Sequence, residues 1–313
     1  MFIGLIGLDS ETIHITKKYL VEERGFTAID LKGDLDDLPQ EVVDMKMLTF
    51  GDLMDYVTSH WQDNFVTATL PYGNTECLDL FMRRPFTLLV GLEARIERTI
   101  KSCVNRFADL FDGMDISTMF DLGYGIIRPT MSKAQLNIYN PYETEEEFLE
   151  LLRTINIEDT ERIRPNWDTY FMELADLASQ RSNCMKRRVG AVLTEEKRVV
   201  ATGYNGTPRG LKNCTEGGCT RCNSGVEQGF AECLCLHAEE NALLEAGRSR
   251  IGSNAVLYCD TCPCLGCAIK IIQTGIKEVV YNQAYRVDDK TYTLFKSSGV
   301  ILRKYSNDHK IMF

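Results

Sequence analysis

The chain opens on an unbroken apolar run, Phe2-Ile3-Gly4-Leu5-Ile6-Gly7-Leu8, which predicts a buried strand. Ser10 then precedes a helical spacing of apolar positions at Ile13, Tyr19 and Leu20, with Glu11 early in it. Further short apolar runs, Asn64 to Thr69 and Phe86 to Val90, predict buried strands, and the amphipathic stretch Leu92 to Phe107 predicts a helix. Strand–helix alternation of this kind points to an α/β domain with a mostly parallel sheet. The segment Glu143 to Arg164 is acidic, predicted helical, and ends at Pro165. Beyond it the pattern restarts. A helix is predicted from Trp167 to Asn183, strands over Val189 to Leu193 and Arg198 to Gly203, and a polar loop insertion over 205–235. A helix from His237 to Ala246 follows. Then come a strand (Ala255 to Cys259), a helix (Pro263 to Thr274), a strand (Glu278 to Tyr281), a helix (Asp288 to Ser297) and a short strand (Val300 to Arg303).

Charge and cysteine sharpen this two-part picture. The whole chain carries 35 Lys+Arg and 45 Asp+Glu over 313 residues, net −10. Residues 1–164 hold 16 basic and 29 acidic residues; residues 165–313 hold 19 and 16. Ten of the twelve cysteines lie in the second part, between Cys184 and Cys267. We therefore expect two domains, 1–160 and 161–313, with different roles. Neither part is basic enough to favour a long nucleic-acid polymer. No stretch approaches the ~20 apolar residues that span a bilayer. The apolar start lacks a basic n-region and a cleavage site, so the expected compartment is the cytoplasm, with the nucleus also open. Clustered thiols in a reducing compartment read as metal ligands before disulfides.

His237-Ala238-Glu239 followed by Pro263-Cys264-Leu265-Gly266-Cys267 is the strongest chemical signal. One imidazole and two thiolates suit zinc, and three protein ligands leave a fourth position for water, the arrangement of a catalytic site. With Pro263 read as the first helical residue, Cys264 and Cys267 share a face near a helix N-terminus, where the dipole favours thiolate. Glu239 is offset from His237 by about 200° on a regular helix, so the two converge only if His237 sits at the helix edge. Glu239 then lies where it can take and return a proton of the activated water. Glu240 is read as a solvated helix residue. The alternative is a purely structural zinc site, which would have no use for Glu239. H-x-E…P-C-x-x-C is the signature of zinc nucleobase deaminases.

The second part as a whole resembles deoxycytidylate (dCMP) deaminases, fungal ones above all. The resemblance runs through Cys184 to Leu193, Gly203 to Pro208, Leu236 to Leu244, Cys259 to Cys267 and Gln273 to Tyr281. It implies a three-layer α/β/α cytidine-deaminase-like fold and hydrolysis of dCMP to dUMP and ammonia, feeding thymidylate synthesis. Zinc would be bound by His237, Cys264 and Cys267, with Glu239 as the proton shuttle. Asn205 and Tyr285 would contact the substrate. The block Gly203-Tyr204-Asn205-Gly206 would bind the activator dCTP and the inhibitor dTTP, with room for Mg2+ beside the effector, and Arg248 would serve a subunit interface or regulation. The implied assembly is a homo-oligomer, a hexamer. Arg187, Arg188, Arg209 and Lys212 are candidate phosphate partners or ordinary surface charge.

Some relatives carry a second, structural zinc in the insertion. By position Cys184, Cys214 and Cys235 match its ligands, with Cys219 or Cys222 as the fourth, while Cys233, Cys259 and Cys262 read as small buried hydrophobes. The N-terminal part, through Gly4 to Thr12 and Arg83 to Phe86, resembles a P-loop nucleotide kinase whose Gly-Lys-Ser/Thr is missing, so a degenerate α/β domain without ATP chemistry is expected. Two other functions compete: a deaminase of the same fold acting on another cytosine or adenine substrate, and a zinc-stabilised nucleotide sensor.

Overall fold

The computed structural model describes residues 1–31, 45–71, 74–107, 115–224, 233–284 and 289–306. The chain forms two compact units that meet in sequence between Arg164 and Pro165.

In the first unit, β1 (Phe2–Gly7) is an inner strand of a parallel sheet, paired on one side with β4 (Phe65–Thr67) and on the other with β5 (Thr87–Ala94). β2 (Thr27–Leu31), β3 (Met45–Met47) and β6 (Leu136–Asn140) complete the order β3-β2-β4-β1-β5-β6. Side chains of β1 alternate between two cores. Ile3 and Leu5 pack with Ile13, Leu20 and Phe148; Phe2 and Ile6 pack with Leu53, Phe81 and Ile127. A sheet buried on both faces explains why the run reads as continuously apolar. Leu92 belongs to β5, where it pairs with Gly7 and Ile138, so the helix expected from that position starts only at Ile96. The acidic segment is shorter than predicted as well: its helix spans Glu145–Ile155 and stops at Asn156, which is left-handed at φ 50°.

Helix α1 (Ser10–Glu22) is capped by Asp9, whose carboxylate accepts from the Thr12 amide (3.2 Å) and hydroxyl (2.6 Å). The same buried carboxylate accepts from Ser102 at 2.7 Å and pairs with Arg98 at 3.1 Å. An internal anion thus occupies the end of the helix where positive dipole and bare N–H groups would otherwise attract one from solution.

The second unit has a five-stranded sheet, β11-β10-β9-β7-β8. β7 (Gly190–Glu195) is antiparallel to β8 (Arg198–Tyr204) and to β9 (Val256–Thr261); β10 (Glu278–Gln283) and β11 (Ile301–Lys304) continue parallel to β9. Residues alternate between two faces. Ala191, Leu193, Leu257, Cys259 and Val279 face the helices Ala238–Ala246 (α9), Leu265–Thr274 (α10) and Asp289–Ser298 (α11). Val192, Tyr258 and Val280 face Phe171, Met172 and Ala175 of α7 (Trp167–Ser179). This is the expected three-layer α/β/α arrangement. Among the described residues no helix is long and apolar enough to cross a membrane.

Gly203 is what lets α9 lie against β8. A Cβ there would overlap the Ala238 carbonyl oxygen and the Ala242 amide nitrogen, both backbone atoms of α9. Gly203→Ala should therefore destabilise the protein by about 1–3 kcal/mol, the usual cost of overpacking. Denaturant unfolding reads this directly, and a change within a few tenths of a kcal/mol would show that α9 can move aside.

Candidate active site and metal centre

His237 is the N-cap of α9 and has extended backbone (φ −78°, ψ 159°), so it stands off the helix spiral while Glu239 lies in the first turn. That resolves the angular conflict between the two. Cys264 is likewise the N-cap of α10, and Cys267 is in its first turn. Pro263 therefore precedes the cap rather than opening the helix, because Cys264 is extended (ψ 169°) where a first helical residue would be coiled. The imidazole Nδ1 lies 3.5 Å from Cys264 Sγ and 3.3 Å from Cys267 Sγ. Ligands about 2.1 and 2.3 Å from a tetrahedral zinc are separated by roughly 3.5 Å, so this triad fits the ion.

The protonation states are in conflict without a cation. Hydrogen bonding from Cys267 and His237 pulls Cys264 down to about 3. The Cys264 contact, reinforced by burial, pushes Cys267 up, and the same thiolate raises His237. A dication relieves this by favouring both thiolates and a neutral imidazole. Glu239, 3 % exposed, is pushed up to about 7 by burial.

Glu240 is not merely solvated. Its carboxylate accepts the His237 backbone N–H at 2.9 Å and pairs with Lys270 of α10. It thereby fixes the backbone of His237 and ties together the two helices that carry the triad.

His237, Glu239 and Cys264 line a cavity of about 470 Å3, within the usual size for small-molecule sites. Asn205 lines it too, but its amide is held by the frame: Oδ1 accepts from Val189 N–H (2.9 Å) and the Ser182 hydroxyl (2.6 Å), and Nδ2 donates to the Arg187 carbonyl (2.9 Å). Of the four basic candidates, Arg187 reaches this cavity, where it donates to Thr261, and Arg209 lines a second one. Lys186 and Arg221 also line the catalytic cavity. Sequence reading passed over both, although each adjoins a motif, Lys186 beside Arg187 and Arg221 inside C-x-x-C.

The second cavity, about 360 Å3, is lined by Gly203, Tyr204, Gly206, Arg209 and Asn241. Arg248 is exposed at the start of a 3-10 turn, after α9 has ended at Gly247. Tyr285 lies outside the described residues. The structure gathers Cys214, Cys219, Cys222 and Cys235 of the insertion with Cys184 from ahead of β7 and adds the exposed Cys233, so Cys233 is not a buried small hydrophobe. Cys259 is buried and Cys262 half-buried, neither within these sulfur clusters.

Residues 165–283 match the family model described as the cytidine and deoxycytidylate deaminase zinc-binding region. The second unit is a zinc-binding deaminase domain. The chain is 43% identical to a deoxycytidylate deaminase of Schizosaccharomyces pombe across 97% of both chains. It is 42% identical to one of Saccharomyces cerevisiae, covering 82% of this chain and 85% of that one. The chain belongs to the deoxycytidylate deaminase family. Among solved structures it is similar to a dCMP deaminase from the cyanophage S-TIM5 in complex with dCMP and dUMP. That match has 32% identity and a TM-score of 0.38, covering 45% of this chain and 98% of that one.

Loss of a group that orients a metal ligand typically weakens binding by about 10- to 100-fold. Glu240→Ala is expected to lower zinc affinity by that much in competition with a chelator. Undiminished affinity would leave Glu240 no part in holding His237.

Proposed function

We propose that the chain hydrolyses dCMP to dUMP and ammonia, supplying dUMP for thymidylate synthesis. The observation that carries this reading is the buried Glu239 beside the His237–Cys264–Cys267 triad, in a cavity edged by Arg187, Lys186 and Arg221. Zinc, when bound, supplies the Lewis acidity that makes water a nucleophile near neutral pH. Glu239 takes one proton from the attacking water and passes it to N3 of the cytosine as C4 becomes tetrahedral; it then takes the second proton from the new C4 hydroxyl and passes it to the departing amine as the C4–N bond breaks. Water is consumed and ammonia released, so atoms balance. The cationic edge suits a monophosphate, and Asn205 shapes the wall by bonding Val189 and Arg187 as well as by facing the ring. Tyr285 would cover the base.

We further infer that the second cavity takes the nucleotide effectors, dCTP to activate and dTTP to inhibit, with Mg2+ on the triphosphate. Arg209 supplies charge there, and the glycines allow close backbone approach. A homohexamer with Arg248 at a subunit contact, a cytoplasmic or nuclear location, and structural zinc in the insertion complete this reading. The first unit serves packing, assembly or regulation in place of phosphoryl transfer. Asp9 at the start of α1 and the missing Gly-Lys-Ser/Thr support that assignment.

Two measurements test it. Glu239→Ala should lower dCMP turnover by at least about 10²–10⁴-fold, the span of general acid–base catalysis, with zinc content unchanged. Activity that survives would remove Glu239 from the mechanism. The wild-type protein should prefer dCMP over deoxycytidine in kcat/KM, and Arg187→Ala should erode that preference. Equal rates on the two would mean that the phosphate is not read.

A further inference from the structure

The insertion that follows β8, together with Cys184 ahead of β7, places six sulfurs together in two overlapping sets. Cys184, Cys214, Cys222 and Cys235 form one; Cys219, Cys222, Cys233 and Cys235 form the other, each with its sulfurs within 4.8 Å of one another. The sets share two members, Cys222 and Cys235. A single tetrathiolate ion would use four of the six and leave two thiols idle. Two separate ones would need eight. Six sulfurs with two in common is the number required by two tetrahedral ions joined through a pair of bridging thiolates.

The spacings agree. Cys222 Sγ lies 3.8 Å from Cys184, 3.6 Å from Cys233 and 4.0 Å from Cys235, and Cys219 lies 3.9 Å from Cys233. Sulfurs about 2.3 Å from a tetrahedral zinc stand roughly 3.8 Å apart. Disulfide sulfurs are separated by about 2.05 Å, so these contacts are far too long for covalent pairs. Cys222 touches members of both sets, as a bridging atom must. The Met185 N–H (3.4 Å) and the Asn223 side-chain amide (3.7 Å) point at Cys214 Sγ, the kind of outer support that metal-bound thiolates receive. The insertion's own core among the described residues consists of cysteines alone.

We propose that this insertion and Cys184 bind two zinc ions in one six-thiolate cluster, with Cys222 and Cys235 bridging, Cys184 and Cys214 terminal on one ion, and Cys219 and Cys233 terminal on the other. The cluster forms a wall of the catalytic cavity, because Cys184, Cys222, Cys233 and Cys235 line it together with His237 and Glu239. It also fixes Arg221, which lies between two of its ligands in sequence and lines the same cavity.

Zinc per chain, measured by atomic emission on the full-length protein purified under reducing conditions, tests this together with His237→Ala, which disables the catalytic triad alone. Three zinc ions are expected in the wild type and two in the variant. Two in the wild type and one in the variant, or fewer, would overturn the cluster whatever the substrate proves to be. Cys219→Ser with Cys233→Ser should remove one ion and keep the other. In case those variants fail to fold, the wild type is also loaded with cadmium-113. Two tetrathiolate resonances coupled through shared sulfur are expected. A single such resonance, or two without coupling, would sink the proposal.

Discussion

The N-terminal caps of α9 and α10 both carry side chains of the candidate metal triad, and the site exists only because the sheet brings those two helix starts to one place. Both helices pack on the same face of the sheet through Ala238, Ala242, Cys267 and Ala268, small side chains that keep the layer thin. Gly203 removes the last obstacle under α9. The Glu240–Lys270 pair then locks the two helices to each other beside the ligands. Two helix N-termini aimed at one point concentrate positive dipole ends there, which lowers the cost of gathering thiolates and a carboxylate.

That concentration of acceptors is costly without a cation. Burial holds Glu239 up to about 7, and Cys264 keeps its charge only by driving Cys267 to stay protonated. The fold has therefore prepared a place whose charges balance when a dication is present. Metal binding and native geometry are coupled here, as they are wherever ligands must lose protons to bind.

Much of this was legible in the sequence. The triad and Glu239 were found because metal chemistry admits few residue types and the spacing places them on helix starts. The strands of the second unit were found because their alternation between two apolar faces leaves continuous apolar runs. Glu240 was missed because its partners, the His237 amide and Lys270, are a backbone atom and a residue thirty positions away. Lys186 and Arg221 look like any surface charge until the cavity is folded around them. The place of Cys233 was missed for a related reason: which thiols gather depends on which loops meet, and the polar insertion has no period to reveal that. The end of β5 was misplaced because Leu92 fits a helical spacing equally well, and only its sheet partners Gly7 and Ile138 decide the matter.

The buried Asp9 at the start of α1 has a consequence for what that helix end can hold. Its carboxylate is bonded to Thr12, Ser102 and Arg98, so it is built into the support of two helices. A phosphate brought to the same helix end would meet a fixed negative charge at close range and be repelled. A glycine-rich turn with lysine and serine placed here would not by itself make a phosphate site. Asp9 would have to go first, and its removal alone would strip a cap and leave Arg98 short of a partner. Any phosphate-binding version of this helix end is thus separated from the present one by a less stable intermediate sequence.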